Sequence, residues 1–65
     1  MTIFQATTIS LRDSSTGDEA TVIVRHDSVN VALCLSLRSN GDVEVVMGKE
    51  DAKRVMEALR KASSV

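Results

Sequence analysis

Three residues of types that often act in catalysis lie near the middle of the chain: His26, Asp27 directly after it, and Cys34, the only cysteine. A thiol acts as a nucleophile when a base lies within hydrogen-bond reach and a third group orients that base. The strand pattern described below places His26 and Cys34 on opposite faces of a sheet, where they cannot form a dyad. We interpret His26 as a surface residue beside a turn and Cys34 as a small, half-buried residue. The sequence therefore predicts a protein that is not an enzyme.

Metal and cofactor chemistry finds little support. Asp13, Asp18 and Glu19 lie in the polar segment 12–19, but their spacing is not that of a calcium-binding EF-hand loop. His26 and Cys34 alone do not supply a zinc site. The glycines fall in no phosphate-binding pattern. We expect a solvated loop, no metal and no cofactor.

Three arginines raise the alternative of nucleic-acid binding. Arg12, Arg25 and Arg38 are expected to share one face of the sheet or its margin, where they could contact a single-stranded backbone. Such grooves also need aromatic side chains on which bases stack, and Phe4 is the only aromatic residue. The net charge of −1 gives no general attraction to phosphates. Single-stranded nucleic-acid binding is therefore the alternative function.

The segment 29–37 organises the predicted fold. Its odd positions are all Val or Leu, and its even positions are Asn, Ala, Cys and Ser. A period of two indicates a β-strand, because successive side chains point to opposite faces. We interpret this segment as a central strand of an antiparallel sheet.

Two further strands precede it. The segment 2–11, rich in Thr and Ile, predicts an edge strand, and the polar segment 12–19 predicts the longest loop. The segment 20–26 predicts the second strand. A two-residue turn at 27–28 would place Val24 opposite Val31, so that apolar residues meet along the ladder.

The fourth strand is predicted over 42–47. A three-residue loop with Gly41 in the left-handed conformation places Leu37 opposite Val43. The same register places Arg38 opposite Asp42 as a charged pair beside the turn.

A helix is predicted over 49–63, with Gly48 as a weak N-terminal cap. Acidic residues in its first turn and basic residues in its last complement the helix dipole. Glu50 with Arg54 and Glu57 with Lys61 are expected to form i,i+4 pairs. The apolar stripe of the helix consists of Ala52, Val55, Met56, Leu59 and Ala62. It is expected to cover Val22, Val24, Val31, Leu33, Leu35, Val43 and Val45.

The fold class is thus α+β: a four-stranded antiparallel meander followed by one C-terminal helix packed on one face, ββββα, in a single domain over 1–65. No motif identifies a family. The element order resembles that of the transcriptional coactivator and "whirly" single-strand-binding domains, and that resemblance implies a dimer.

The small size also favours self-association. A chain of 65 residues buries only about 60% of its unfolded surface, so it usually needs help from disulfides, metals or oligomerisation. The lone cysteine excludes an intrachain disulfide and fits a reducing, cytoplasmic compartment. No segment approaches the roughly 20 apolar residues of a membrane helix. We expect a homodimer without membrane contact.

The candidate interface is the sheet face that the helix leaves open. Its small apolar centre is predicted to comprise Ile23, Ala32, Cys34 and Val46. Arg25 and Arg38 lie in its polar rim, an arrangement typical of interfaces. The sequence therefore predicts a small, non-enzymatic interaction module. It would form the homodimer through this face or an edge strand, and it would bind a protein or small ligand there.

Overall fold

The computed structural model describes residues 5–65 and contains four strands and one helix. The strands are β1 (Gln5–Arg12), β2 (Glu19–His26), β3 (Asn30–Leu37) and β4 (Gly41–Gly48), and the helix α1 spans Lys49–Ser63. All neighbouring strands are antiparallel, in the order β1-β2-β3-β4. The predicted ββββα fold is confirmed, with β1 at an edge and β3 inside the sheet. The first positions of the predicted strand 2–11, residues 2–4, lie outside the described residues.

The sheet separates its side chains into two faces. The face toward α1, called the helix-side face below, carries apolar residues on all four strands because each strand alternates and the ladders align the alternation; its polar positions are Gln5, Thr7 and His26. The other face, called the opposite face, carries mostly small, polar and charged side chains, with Ile23 and Val46 as its larger apolar residues. The apolar residues of the helix-side face are Ile9, Leu11, Ala20, Val22, Val24, Val31, Leu33, Leu35, Leu37, Val43, Val45 and Met47.

The hairpin between β2 and β3 differs from the predicted register by two residues. Val24 lies opposite Leu33 rather than Val31. The predicted turn at 27–28 is wrong because Asp27 closes the hairpin: its N–H donates to the Asn30 carbonyl at 3.1 Å. The Asp27 carboxylate also accepts the N–H groups of Val29 and Asn30, both at 2.8 Å. A shift of two keeps every side chain on its predicted face.

These hydrogen bonds give the hairpin a pH dependence. The backbone N–H groups of Asn30 and Val29 lower the pKa of Asp27 below its ordinary value of 3.8. A lowered folded-state pKa means that the stabilisation is fully present above pH 3.8 and is lost as the pH falls through the folded value. An Asp27→Asn variant keeps an acceptor oxygen but has no carboxyl group to titrate. We expect wild type to melt at a higher temperature than this variant at pH 7, and the gap to shrink in acid. Thermal melts by circular dichroism across the pH range would measure this difference in melting temperature. A difference that does not change with pH would contradict the role of the Asp27 carboxylate.

The hairpin between β3 and β4 is also shifted by two residues. Its loop has the predicted length of three residues, but the loop consists of 38–40. Leu37 therefore lies opposite Gly41 instead of Val43. The Asn40 N–H donates to the Leu37 carbonyl at 3.2 Å. Gly41 has the predicted left-handed conformation, with φ 80°. The predicted pairing of Arg38 with Asp42 is wrong, because the shifted register moves Arg38 out of the ladder with β4.

Gly41 and Gly48 offer a matched test of this turn. At Gly41 no atom would touch an added Cβ, so a substitution there meets only the left-handed backbone, which costs about 1–2 kcal/mol. Gly48 has φ −71°, which any residue adopts. We expect Gly41→Ser to lower the free energy of unfolding by that amount, and Gly48→Ser to raise it by a few tenths of a kcal/mol through N-capping. Urea denaturation measures both, and equal effects would contradict the turn assignment.

Helix α1 begins directly after β4 and has the predicted bounds. Gly48 provides no side-chain cap, as expected. The predicted i,i+4 ion pairs are wrong, because the charged side chains pair one residue closer. The observed i,i+3 pairs are Glu50 with Lys53, Asp51 with Arg54 and Glu57 with Arg60. All are exposed and contribute little to stability.

The helix covers less of the sheet than the sequence predicts. Within the described chain, its backbone approaches only β3 and β4. A cleft of about 350 Å³ separates its apolar stripe from the end of the sheet where α1 begins. The cleft is lined by Val24, Val31, Leu33, Met47, Ala52, Val55, Met56 and Leu59. Leu35, Val43 and Val45, which the helix was expected to cover, remain exposed.

Candidate functional site

The four residues of the predicted interface do form one cluster, called the opposite-face patch below. Ile23 lies opposite Cys34 across β2 and β3, and Ala32 lies opposite Val46 across β3 and β4. The first three are half-buried, and Val46 is exposed. The sequence therefore placed these residues together correctly, and their role as an interface stays a prediction.

An ion pair borders the patch. Arg25 of β2 pairs with Glu44 of β4, so the two side chains reach across the intervening strand β3 near Ala32. Beside them lies a shallow depression of about 260 Å³ that also includes Asp27 and Asn30. Because both charged side chains are partly exposed, the pair contributes little to stability. It gives the rim of the patch both signs of charge.

The three arginines do not line one continuous groove. Arg38 pairs with Glu19 at 3.1 Å, and Arg12 donates to the Gly17 carbonyl at 3.0 Å. Both lie at the loop end of the opposite face, flanking Glu19. Arg25 lies six residues along β2 from Glu19, about 20 Å at the rise of a strand. Two of the three guanidinium groups are already engaged by carboxylates, and nucleic-acid binding stays a prediction.

The other chemical candidates are dispersed. His26 and Cys34 lie on opposite faces, as predicted. In the loop between β1 and β2, Asp13 accepts the Ser15 N–H at 2.8 Å and the Ser15 hydroxyl at 2.7 Å. These bonds lower the pKa of Asp13. Within residues 5–65, no three His, Cys, Asp or Glu side chains cluster closely enough to hold a metal ion.

The feature that sequence reasoning missed is the exposure of the helix-side face. No side chain of residues 5–65 is fully buried. At the end of the sheet away from α1, Ile9, Leu11, Leu35 and Val43 are each about half exposed, with Val43 at 57%. These residues form a contiguous exposed apolar patch, and such a patch is a candidate interaction surface. The signal was present in the sequence: twelve apolar positions on one face exceed what the stripe of one 15-residue helix can cover.

The dimensions of the chain agree with an incomplete core. Its accessible surface is 5289 Å², whereas a folded monomer of 7.0 kDa is expected to expose about 4,000 Å². The excess is more than about 1,000 Å². The radius of gyration is 13.1 Å, against about 11 Å for a compact domain of this length. The excess surface is the size of one partner's share of a stable interface.

Comparisons with known proteins leave the geometry as the basis for a functional conclusion. No family model, no curated protein and no solved structure matches this chain. No helix among the described residues is long and apolar enough to span a membrane.

Proposed function

We propose that this protein is a small, non-enzymatic interaction module that forms a homodimer through its helix-side face. The observation that carries the proposal is the exposed apolar end of that face, around Leu35 and Val43, together with the excess surface. Summed over the apolar part of the covered surface, burial in a dimer contributes about 25 cal/mol per Å² of gross transfer free energy. Association and ordering offset much of this sum.

A second copy is the partner that the surface favours. A partner must match an apolar face that extends across four strands, and each copy of this chain carries such a face. A two-fold dimer would turn two single-sided sheets into one shared core between layers, which is how stable domains are built. The charged side chains of α1 and the ion pairs of the opposite face would stay in water.

The opposite-face patch is then free for a further partner. We propose that Ile23, Ala32, Cys34 and Val46 bind a protein or small ligand, with Arg25 and Glu44 contributing polar contacts at the rim. A small apolar centre within a polar rim supports this role. The free, half-buried thiol of Cys34 supports a reducing, cytoplasmic location.

The mass in solution tests the dimer. Sedimentation equilibrium over a wide concentration range is expected to give twice the chain mass. The melting temperature is expected to rise with protein concentration, because association stabilises the folded state by mass action. A cooperatively folded monomer at high concentration would overturn the proposal.

A further inference from the structure

Only part of the apolar stripe of α1 is covered within its own chain. Ala52 is half-buried beside the sheet, whereas Met56 and Leu59 are 63% and 62% exposed. A helix of 15 residues is about 22 Å long. Its exposed apolar side chains therefore project from the middle and the far part of the helix, beyond the turn that begins at Gly48.

The helix-side face is likewise only partly covered by α1. The end of the sheet near the start of α1 contributes Val24, Val31, Leu33 and Met47 to the cleft. The remote end, formed by Leu11, Leu35 and Val43 on three strands, has no cover within the described chain. Each copy thus carries an uncovered sheet end and a helix stripe on which Met56 and Leu59 stay exposed although they line the open cleft.

Steric considerations decide how two such faces meet. Two sheets packed directly face to face are about 10 Å apart, and their own side chains fill that layer, so a helix about 10–12 Å across with its side chains does not fit between them. Since α1 already occupies part of that layer, a second sheet cannot close onto the first over the whole face. The space left over the remote end has the thickness of one helix.

We infer that, in the dimer, the α1 helix of each chain packs on the remote end of the partner's helix-side face. This inference rests on the proposed dimer and specifies its packing. Met56 and Leu59 of one copy contact Leu35 and Val43 of the other, and the two-fold axis generates the same contact twice. The two helices and two sheets then enclose one apolar core.

Thiol cross-linking tests the packing. In a Cys34→Ser background, the double variants Val43→Cys/Met56→Cys and Leu35→Cys/Leu59→Cys are treated with a short bismaleimide. We expect the covalent dimer to be the main species on a denaturing gel for at least one pair. The matched control is Val46→Cys/Met56→Cys, because Val46 is on the same strand as Val43, is similarly exposed at 61%, and lies on the opposite face. That control is expected to remain monomeric on the gel.

The outcomes separate the packing from the dimer itself. A cross-link within one chain would show that α1 covers its own remote sheet end, and a covalent dimer from Val43→Cys alone would show that two sheets meet directly. Either result, or the absence of any interchain product from both pairs, overturns the reciprocal packing if sedimentation still shows a dimer. A monomer in sedimentation overturns the proposed function as well. Circular dichroism of each variant confirms that it is folded before cross-linking.

Discussion

The Val43→Arg variant is expected to dissociate into monomers at concentrations where wild type and Val46→Arg remain dimeric. Both valines lie on β4 and are about equally exposed in the isolated chain, at 57% and 61%, but they face opposite sides of the sheet. In the proposed dimer, the guanidinium introduced by Val43→Arg would be an unpaired charge in the shared apolar core. The guanidinium introduced by Val46→Arg would lie beside Glu44 at the rim of the other face. An unpaired buried charge costs several kcal/mol, and each 1.4 kcal/mol is tenfold in affinity.

The expected rise in the dimer dissociation constant is therefore more than about 100-fold for Val43→Arg and less than about tenfold for Val46→Arg. Sedimentation velocity across a dilution series measures both constants. The reverse order would assign the self-association to the opposite-face patch, and the helix-side face would then lack its proposed partner. Equal effects would show that the dimer, if present, uses neither face selectively.

The second large effect is expected from Leu33→Ala. Leu33 lies on a central strand, opposite Val24 and Val45, and lines the cleft beneath α1. Replacing Leu by Ala in a core costs about 2–5 kcal/mol. Because Leu33 is half-buried in the isolated chain, we expect the lower part of that range, about 2–3 kcal/mol. This loss is a large fraction of the total stability of a 65-residue chain.

Leu35→Ala is the matched control for that loss. Leu35 lies on the same strand and the same face but is 48% exposed. At concentrations where the monomer dominates, we expect Leu35→Ala to cost clearly less than Leu33→Ala in urea denaturation. At concentrations where the dimer dominates, the two costs should converge, because the partner covers Leu35. A Leu33→Ala variant as stable as wild type would show that Leu33 is not central to the core.

The hairpin registers show the limit of sequence reasoning most clearly. The apolar matching of β2 with β3 excluded a shift of one residue, because that shift exchanges the two faces. It could not exclude a shift of two, which returns every side chain to the same face. Both hairpins are in fact shifted by two. The carboxylate of Asp27, which accepts two backbone N–H groups, and the hydrogen bond from Asn40 to Leu37 fix the registers, and neither depends on the apolar pattern.

The charged pairs were harder to predict for a similar reason. Arg38 was assigned to Asp42 from the expected register, and the observed register brings it to Glu19. Asp42 instead accepts a hydrogen bond from Ser36 at 2.6 Å. Long, exposed side chains select among several nearby partners at little cost in free energy. Sequence spacing therefore predicts which charges share a face better than it predicts which two atoms meet.

The sequence by itself determined the elements, their order and the sorting of side chains between two faces, because alternation and helical periodicity are local properties of the chain. It also brought Ile23, Ala32, Cys34 and Val46 together on one face. Only the tertiary structure decided how much of the helix-side face α1 covers. That coverage depends on the direction in which the helix leaves β4 at Gly48, where no side-chain cap and no loop residue constrain it from sequence. The chain therefore leaves Leu35, Val43, Met56 and Leu59 exposed, and their exposure moves the proposed self-association to the helix-side face.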